Sequence, residues 1–370
     1  MHSADKNTYL YGVDLVRFWA AFMVMTYHLS WSRVGISGVA ASGWVGVEVF
    51  FVISGLVIAN SAHGSSAQRF AVSRFLRLYP GAWCAVAVSC VLIIFGHLPR
   101  KITLSNMIGS ITLLHGISFV SAYWTLPIEM SFYFFIYMLL RYGWFDRFIE
   151  WIPLLLIGWS APYQVLLVVE SHSFIHWPFI YQGFGAYNML LLRYGSYFGL
   201  GMLIWLAMKK RIGRVGVVFA GIGIASGLLE IDARAIQLAP LYAKPISGLG
   251  RDACLVFLFA LGIILISALF HEKFPQNTSL RRLVRAVGLV TYPLYLIHQV
   301  TGEFGFQWAA KQKIALVPSF CIALLISVVL SFGVSIWAEP FVRGYLRVAI
   351  RKFEEAWNAK KMAHLRLESE

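Results

Sequence analysis

The chain has 370 residues, of which 59% are hydrophobic and only 13% charged, with a mean hydropathy of +0.70. Charge that sparse does not cover the surface of a water-soluble globule, and such a rich apolar and aromatic content excludes disorder. The net charge of +14 lies in short clusters between apolar runs, which argues for loops held on one face of a bilayer and against nucleic acid.

Apolar runs of about 20 residues, the length a spanning helix needs, fall at 11–31, 44–61, 79–97, 123–140, 150–169, 187–208, 213–230, 249–270, 286–308 and 315–337. They predict an all-α polytopic bundle of ten spans with no soluble second domain. Residues 1–340 form the membrane domain and 341–370 a cytoplasmic tail, whose mixture of Arg, Lys, Glu, Phe and Trp reads as an amphipathic surface helix. The stretch 102–120 holds Ser105, Asn106, Gly109 and His115 and reads as interfacial or re-entrant.

With the N-terminus inside, the clusters at Arg69, Arg74 and Arg77, at Arg141 and Arg147, at Lys209 to Arg214, and at Lys273 to Arg285 all fall on the inner side. The tail adds more. Both termini are therefore expected inside. Residues 39–42 have the small side chains of a cleavage region, but Asp14 and Arg17 interrupt the apolar core a signal peptide requires. The first run is read as a retained helix. The four cysteines lie within apolar runs at neither metal nor disulfide spacing and read as small buried hydrophobes.

Ionisable groups inside spans are costly and mark function by default. The first span carries Asp14, Arg17 and His28. Eleven residues at 100° each return Arg17 and His28 to one face, about 16 Å apart along the axis. Asp14 is spaced to pair with Arg17, either as a structural ion pair or as part of a functional stripe. Loop charge puts Glu129, in the fourth span, at the depth of His28. The expected unit is a histidine oriented by that carboxylate, with Glu48 and Glu303 as competing partners. Arg74 and Arg77 lie three apart at a helix entrance expected to close at Pro80, and can grip one anion together; positive-inside charge alone is the plainer alternative. In the ninth span, Tyr295 and His298 are one turn apart near mid-membrane beside Pro293, as cavity lining or as inter-helix glue.

These pieces, in this order, resemble the acyltransferase-3 family of integral membrane O-acyltransferases. The resemblance rests on Asp14-x-x-Arg17 followed by ten residues and His28, on Gly46 to Gly55 with its Phe50-Phe51 pair, and on Arg74-x-x-Arg77-x-x-Pro80. It rests also on Trp124-Thr125-Leu126-x-x-Glu129-x-x-Phe132-Tyr133, on Tyr292-x-x-Tyr295-Leu296-x-His298, and on Glu339-Pro340-x-x-Arg343. It implies a bacterial inner-membrane enzyme that moves an acyl group, most simply acetyl, from cytoplasmic acyl-coenzyme A to a hydroxyl of a cell-surface or lipid-linked glycan. Acyl-coenzyme A is then a co-substrate, and no permanently bound cofactor or metal is called for. His28 is assigned as general base, Glu129 as its partner, and Arg17 as a positioning group. Arg74, Arg77 and Asp14 are assigned to the donor, and Trp124, Tyr133, Glu48, Tyr295 and His298 to the cavity and acceptor. The rival reading is a glycan or lipid transporter; its usual pair of related halves is not visible in the sequence. A non-catalytic membrane scaffold ranks last.

Overall fold

The computed structural model describes residues 10–36, 38, 40–113, 118–172, 184–242, 245–273 and 278–367. His115 and Val39 fall outside them. The described residues are mostly helical and form no strand. In chain order the helices are α1 (Tyr11–Ser30), α2 (Gly46–Ala62), α3 (Ala67–Phe95), α4 (Leu104–Thr112), α5 (Leu126–Arg141), α6 (Ile152–His172) and α7 (Phe184–Met189). Then come α8 (Gly195–Met208), α9 (Arg214–Leu238), α10 (Leu249–Leu269), α11 (Thr278–Lys311), α12 (Leu316–Gly333) and α13 (Glu339–Leu367). The chain is a multi-pass membrane protein with a polytopic helical bundle. Among the described residues, seven helical stretches are long and apolar enough to cross a membrane. Three of the ten expected spans, at α1, α5 and α8, fall short of that measure.

Several boundaries differ from the sequence expectation. The third helix starts at Ala67, not near 79, because Ser66 caps it by accepting from the Arg69 backbone N–H. Pro80 is therefore inside α3 rather than at its entrance. A proline there leaves the carbonyl four residues earlier without its helical donor. That carbonyl belongs to Leu76, and Arg343 Nε donates to it at 3.1 Å. The arginine is itself held by Glu339 in the preceding turn of α13. A proline that would break the helix locally is thus accommodated from the other end of the sequence.

The sixth expected span divides into α7 and α8, with Leu191 in the left-handed region between them. The ninth extends over Thr278–Lys311, and the tenth runs through a π-helical turn, Val334–Ala338, into α13 without a break. The polar stretch near 102–120 contributes α4, nine residues closed by a Thr103–Asn106 capping box. At about 1.5 Å per residue it is too short to cross a bilayer.

Small residues set how closely the helices approach, as expected where lipid supplies no hydrophobic drive between them. A Cβ at Gly46 would meet the Ala20 carbonyl at 2.6 Å, fixing α2 against α1. One at Gly55 would overlap the Phe198 carbonyl, and one at Gly201 the Val52 carbonyl, fixing α2 against α8. Gly288 faces Asp14 and Gly302 faces Leu29, so α11 lies close along α1 at both ends. Overpacking at backbone contacts of this kind costs about 1–3 kcal/mol or more. Gly201→Val is expected to remove most of the monodisperse protein recovered by size-exclusion chromatography in detergent. Recovery at the wild-type level would contradict the α2–α8 crossing.

Candidate active site

Two cavities lie at different levels of α1, one around each end of its polar stripe. The first, about 230 Å³, is lined by Arg17 from α1, Phe50 and Ser54 from α2, Arg74 and Arg77 from α3, Glu129 and Tyr133 from α5, and Tyr292 and Tyr295 from α11. Three guanidinium groups face one carboxylate in this arginine cavity. Asp14 pairs with Arg17 at 3.3 Å and does not itself line the cavity. No carboxylate of the described residues reaches salt-bridge distance of Arg74 or Arg77. The Arg74 guanidinium lies over the Phe70 and Tyr133 rings and that of Arg77 over Tyr292, 5.3 Å from its centroid. Arg74 Nε is buried with no hydrogen-bond partner among the described residues. An excess of cation with an unused buried donor is suited to an anionic ligand such as phosphate.

The second cavity, about 470 Å³, is lined by His28, Trp31, Arg33, Arg100, Trp124, Gln299 and Glu303, among others. Arg100 bonds Glu303 at 2.7 Å and also reaches the Phe119 carbonyl and Ser121. Arg33 stands over the Phe306 ring at 3.8 Å and donates to the Leu29 carbonyl. Trp124 is braced from behind by Arg234, whose guanidinium lies 5.3 Å from the Trp124 centroid, 5.7 Å from that of Trp44, and bonds the Tyr194 hydroxyl. Aromatic faces beside planar polar groups make a surface suited to a sugar.

The wall between the cavities is thin. Thr125 lines the arginine cavity and Trp124 the histidine cavity, while Tyr295 and Gln299, one turn apart on α11, divide in the same way. The hydroxyls of Thr125 and Tyr295 share a buried hydrogen bond of 3.0 Å across that wall.

The structure corrects the expected histidine–carboxylate pair. Glu129 belongs to the arginine cavity, where its carboxylate accepts from Ser54 at 2.8 Å and from the Tyr133 hydroxyl. The neighbour of His28 is His298, whose Nε2 lies 3.1 Å from His28 Nδ1. Matched depth had pointed to Glu129; the close α1–α11 packing brings His298 there instead. The residues expected to share the acceptor site also separate. Trp124 lines the histidine cavity, Tyr133 and Tyr295 line the arginine cavity, and His298 lines neither, being fully buried. Glu48 is likewise fully buried, outside both linings, and among the described residues neither carboxylate oxygen has a hydrogen-bond partner. Near it, Arg193 and Glu230 form a buried 2.6 Å ion pair.

Nothing in the sequence patterns singles out Arg33, Arg100 or Arg234, and Ser54 falls in the Gly46–Gly55 motif with no role of its own. Trp31 and Gln299 carried no signal of their own. Among the described residues, no group of three or more His, Cys, Asp or Glu is placed to hold a metal.

Residues 10–336 match the family model described as an acyltransferase domain. The chain belongs to the acyltransferase-3 family. It is 27% identical over 215 residues to the peptidoglycan O-acetyltransferase OatA of Listeria monocytogenes, a match covering 55% of this chain and 29% of that protein. It is 28% identical over 156 residues to YrhL of Bacillus subtilis, covering 36% of this chain and 24% of YrhL. Nodulation protein 10 of Rhizobium leguminosarum is 34% identical over 95 residues, 23% of this chain and 24% of that protein. The matches thus span 24–29% of the length of these relatives. No solved structure matches it.

Proposed function

We propose that the protein is a membrane O-acyltransferase that takes an acyl group, most simply acetyl, from acyl-coenzyme A and passes it to a glycan hydroxyl on the far side of the membrane. The observation that carries this reading is the pair of cavities on one polar stripe, cationic at one level and histidine-lined at the other, separated by the Thr125–Tyr295 wall. The arginine cavity is smaller than a typical site for a whole drug-sized ligand. It suits the phosphate-bearing arm of the donor, with the thioester directed toward the wall. The histidine cavity suits the acceptor, a cell-surface or lipid-linked glycan, a class in keeping with the name of the Listeria relative.

In this reaction His28 removes the proton from the acceptor hydroxyl as that oxygen attacks the thioester carbonyl. Collapse of the tetrahedral intermediate breaks the carbon–sulfur bond, and the departing thiolate takes the proton back from His28. Ester and free thiol result, with no net proton released. The arginine cavity opens to the cytoplasm in this orientation, in keeping with the basic loops on that side.

Sealed membrane vesicles of both orientations, given radiolabelled acetyl-coenzyme A that does not cross the bilayer, test donor and sidedness together. Label should enter glycan only in inverted vesicles, where the cytoplasmic face meets the donor. Transfer confined to right-side-out vesicles, or none in either, would overturn the reading.

A further inference from the structure

The buried histidine on α11 has a hydrogen-bond pattern that assigns it a role. His298 Nδ1 lies 2.7 Å from the Tyr295 carbonyl and 3.2 Å from that of Leu294. Carbonyl oxygens only accept, so this nitrogen carries the proton and Nε2 presents a lone pair. That lone pair is 3.1 Å from His28 Nδ1, which also lies 3.0 Å from the Val24 carbonyl. Two acceptors therefore converge on His28 Nδ1. The proton of neutral His28 is drawn to Nδ1, and its Nε2 is left as the unprotonated atom for the cavity that His28 lines.

We infer that His298 is a positioning residue for His28: it accepts from Nδ1–H and so holds the tautomer and ring orientation in which Nε2 faces the acceptor. This rests on the reading of His28 as general base. The ring nitrogen behind a catalytic histidine sets which nitrogen works. A carboxylate commonly fills that place; here a second imidazole does so, itself oriented by the main chain one turn earlier. When His28 takes up a proton, the same Nδ1–H bond strengthens without a proton having to pass to His298. The placement follows from close helix contact, with Gly288 against Asp14 and Gly302 against Leu29 bracketing the two rings, whose centroids are 5.0 Å apart. The same residue ties this pair to the wall, since Tyr295 gives its carbonyl to His298 and its hydroxyl to Thr125.

The test uses the full chain in lipid nanodiscs with nitrogen-15-labelled histidine, His28 being identified by its loss in the His28→Gln spectrum. Wild-type His28 should show a protonated Nδ1 and an unprotonated Nε2. His298→Phe, which keeps a ring but leaves the Val24 carbonyl as the one acceptor at His28 Nδ1, should populate the second tautomer beside the first. It should also lower kcat at least about tenfold while the KM for donor and for acceptor stays within about twofold. His298→Gln, whose amide oxygen can accept from Nδ1–H, should recover most of both signals. A protonated Nε2 in wild-type His28, or an unchanged spectrum and kcat in His298→Phe, would overturn the inference. A merely structural pin between α1 and α11 would instead lower recovery of folded protein without the tautomer change. The spectrum needs no turnover, so it separates failure here from failure of the base assignment, which His28→Ala tests directly.

Discussion

His28→Ala is expected to lower turnover by about 10²–10⁴-fold, the usual contribution of a general base, while the protein still inserts and binds donor. Arg17, Arg74 and Arg77 line the other cavity, on the far side of the Thr125–Tyr295 wall, so removing an imidazole from the histidine cavity leaves them in place. His28 is partly exposed to its cavity, and its Nδ1 is engaged by Val24 and His298. The truncation therefore removes the imidazole from the histidine cavity without deleting a core side chain. Turnover with labelled acetyl-coenzyme A, donor binding by equilibrium dialysis and recovery in detergent measure the three quantities separately. A variant keeping more than about a tenth of wild-type turnover would remove His28 from the role of base. Glu303, which lines the same cavity, would then be the next group to test; His298 would not, because it lines neither cavity.

The second large effect is expected at the donor. Replacing Arg74 and Arg77 together by Gln should raise the apparent KM for acyl-coenzyme A about a hundredfold, since a hydrogen bond to a charged group contributes about 1.5–3 kcal/mol. The KM for the acceptor should hardly move. Both arginines lack a carboxylate partner within salt-bridge distance among the described residues, and Arg74 Nε is a buried donor in wait of an acceptor. Glutamine keeps a polar end group and much of the aliphatic stem, so packing against Phe70, Tyr133 and Tyr292 is only partly lost. Titrating donor at saturating acceptor, and then the reverse, distinguishes the two constants. An unchanged donor KM in folded protein would return both residues to the role of positive loop charge.

What was legible in the sequence was what depends on a single helix. Composition alone required a helical bundle in a membrane, because apolar runs of spanning length have no other way to satisfy their backbone groups there. The stripe of Asp14, Arg17 and His28 followed from helical periodicity. The structure agrees: Asp14 bonds Arg17, and Arg17 and His28 each line a cavity. The Arg74–Arg77 spacing was equally local, and both face one cavity.

Pairing between helices was not legible. Loop charge fixes how deep a residue lies but not which way round its helix it faces, so Glu129, with Glu48 and Glu303 as competitors, was the expected partner of His28, and His298 was read only as cavity lining or inter-helix glue. Only the close α1–α11 approach at Gly288 and Gly302 put the second imidazole there. The α2 contact at Ser54 and the Tyr133 hydroxyl took Glu129 to the arginines instead. Pro80 shows the same limit. Nearest-neighbour rules place a helix start beside it, yet the helix passes through because Arg343, more than 250 residues later, supplies the donor that Leu76 lost. Periodicity and composition are properties of neighbouring residues, and the sequence by itself determined whatever rests on them: the helices, their polar faces and the membrane they require. Which faces meet is set by steric contact between residues far apart in the chain. The two separate cavities, the wall between them and the partner of His28 were therefore decided by the tertiary structure alone.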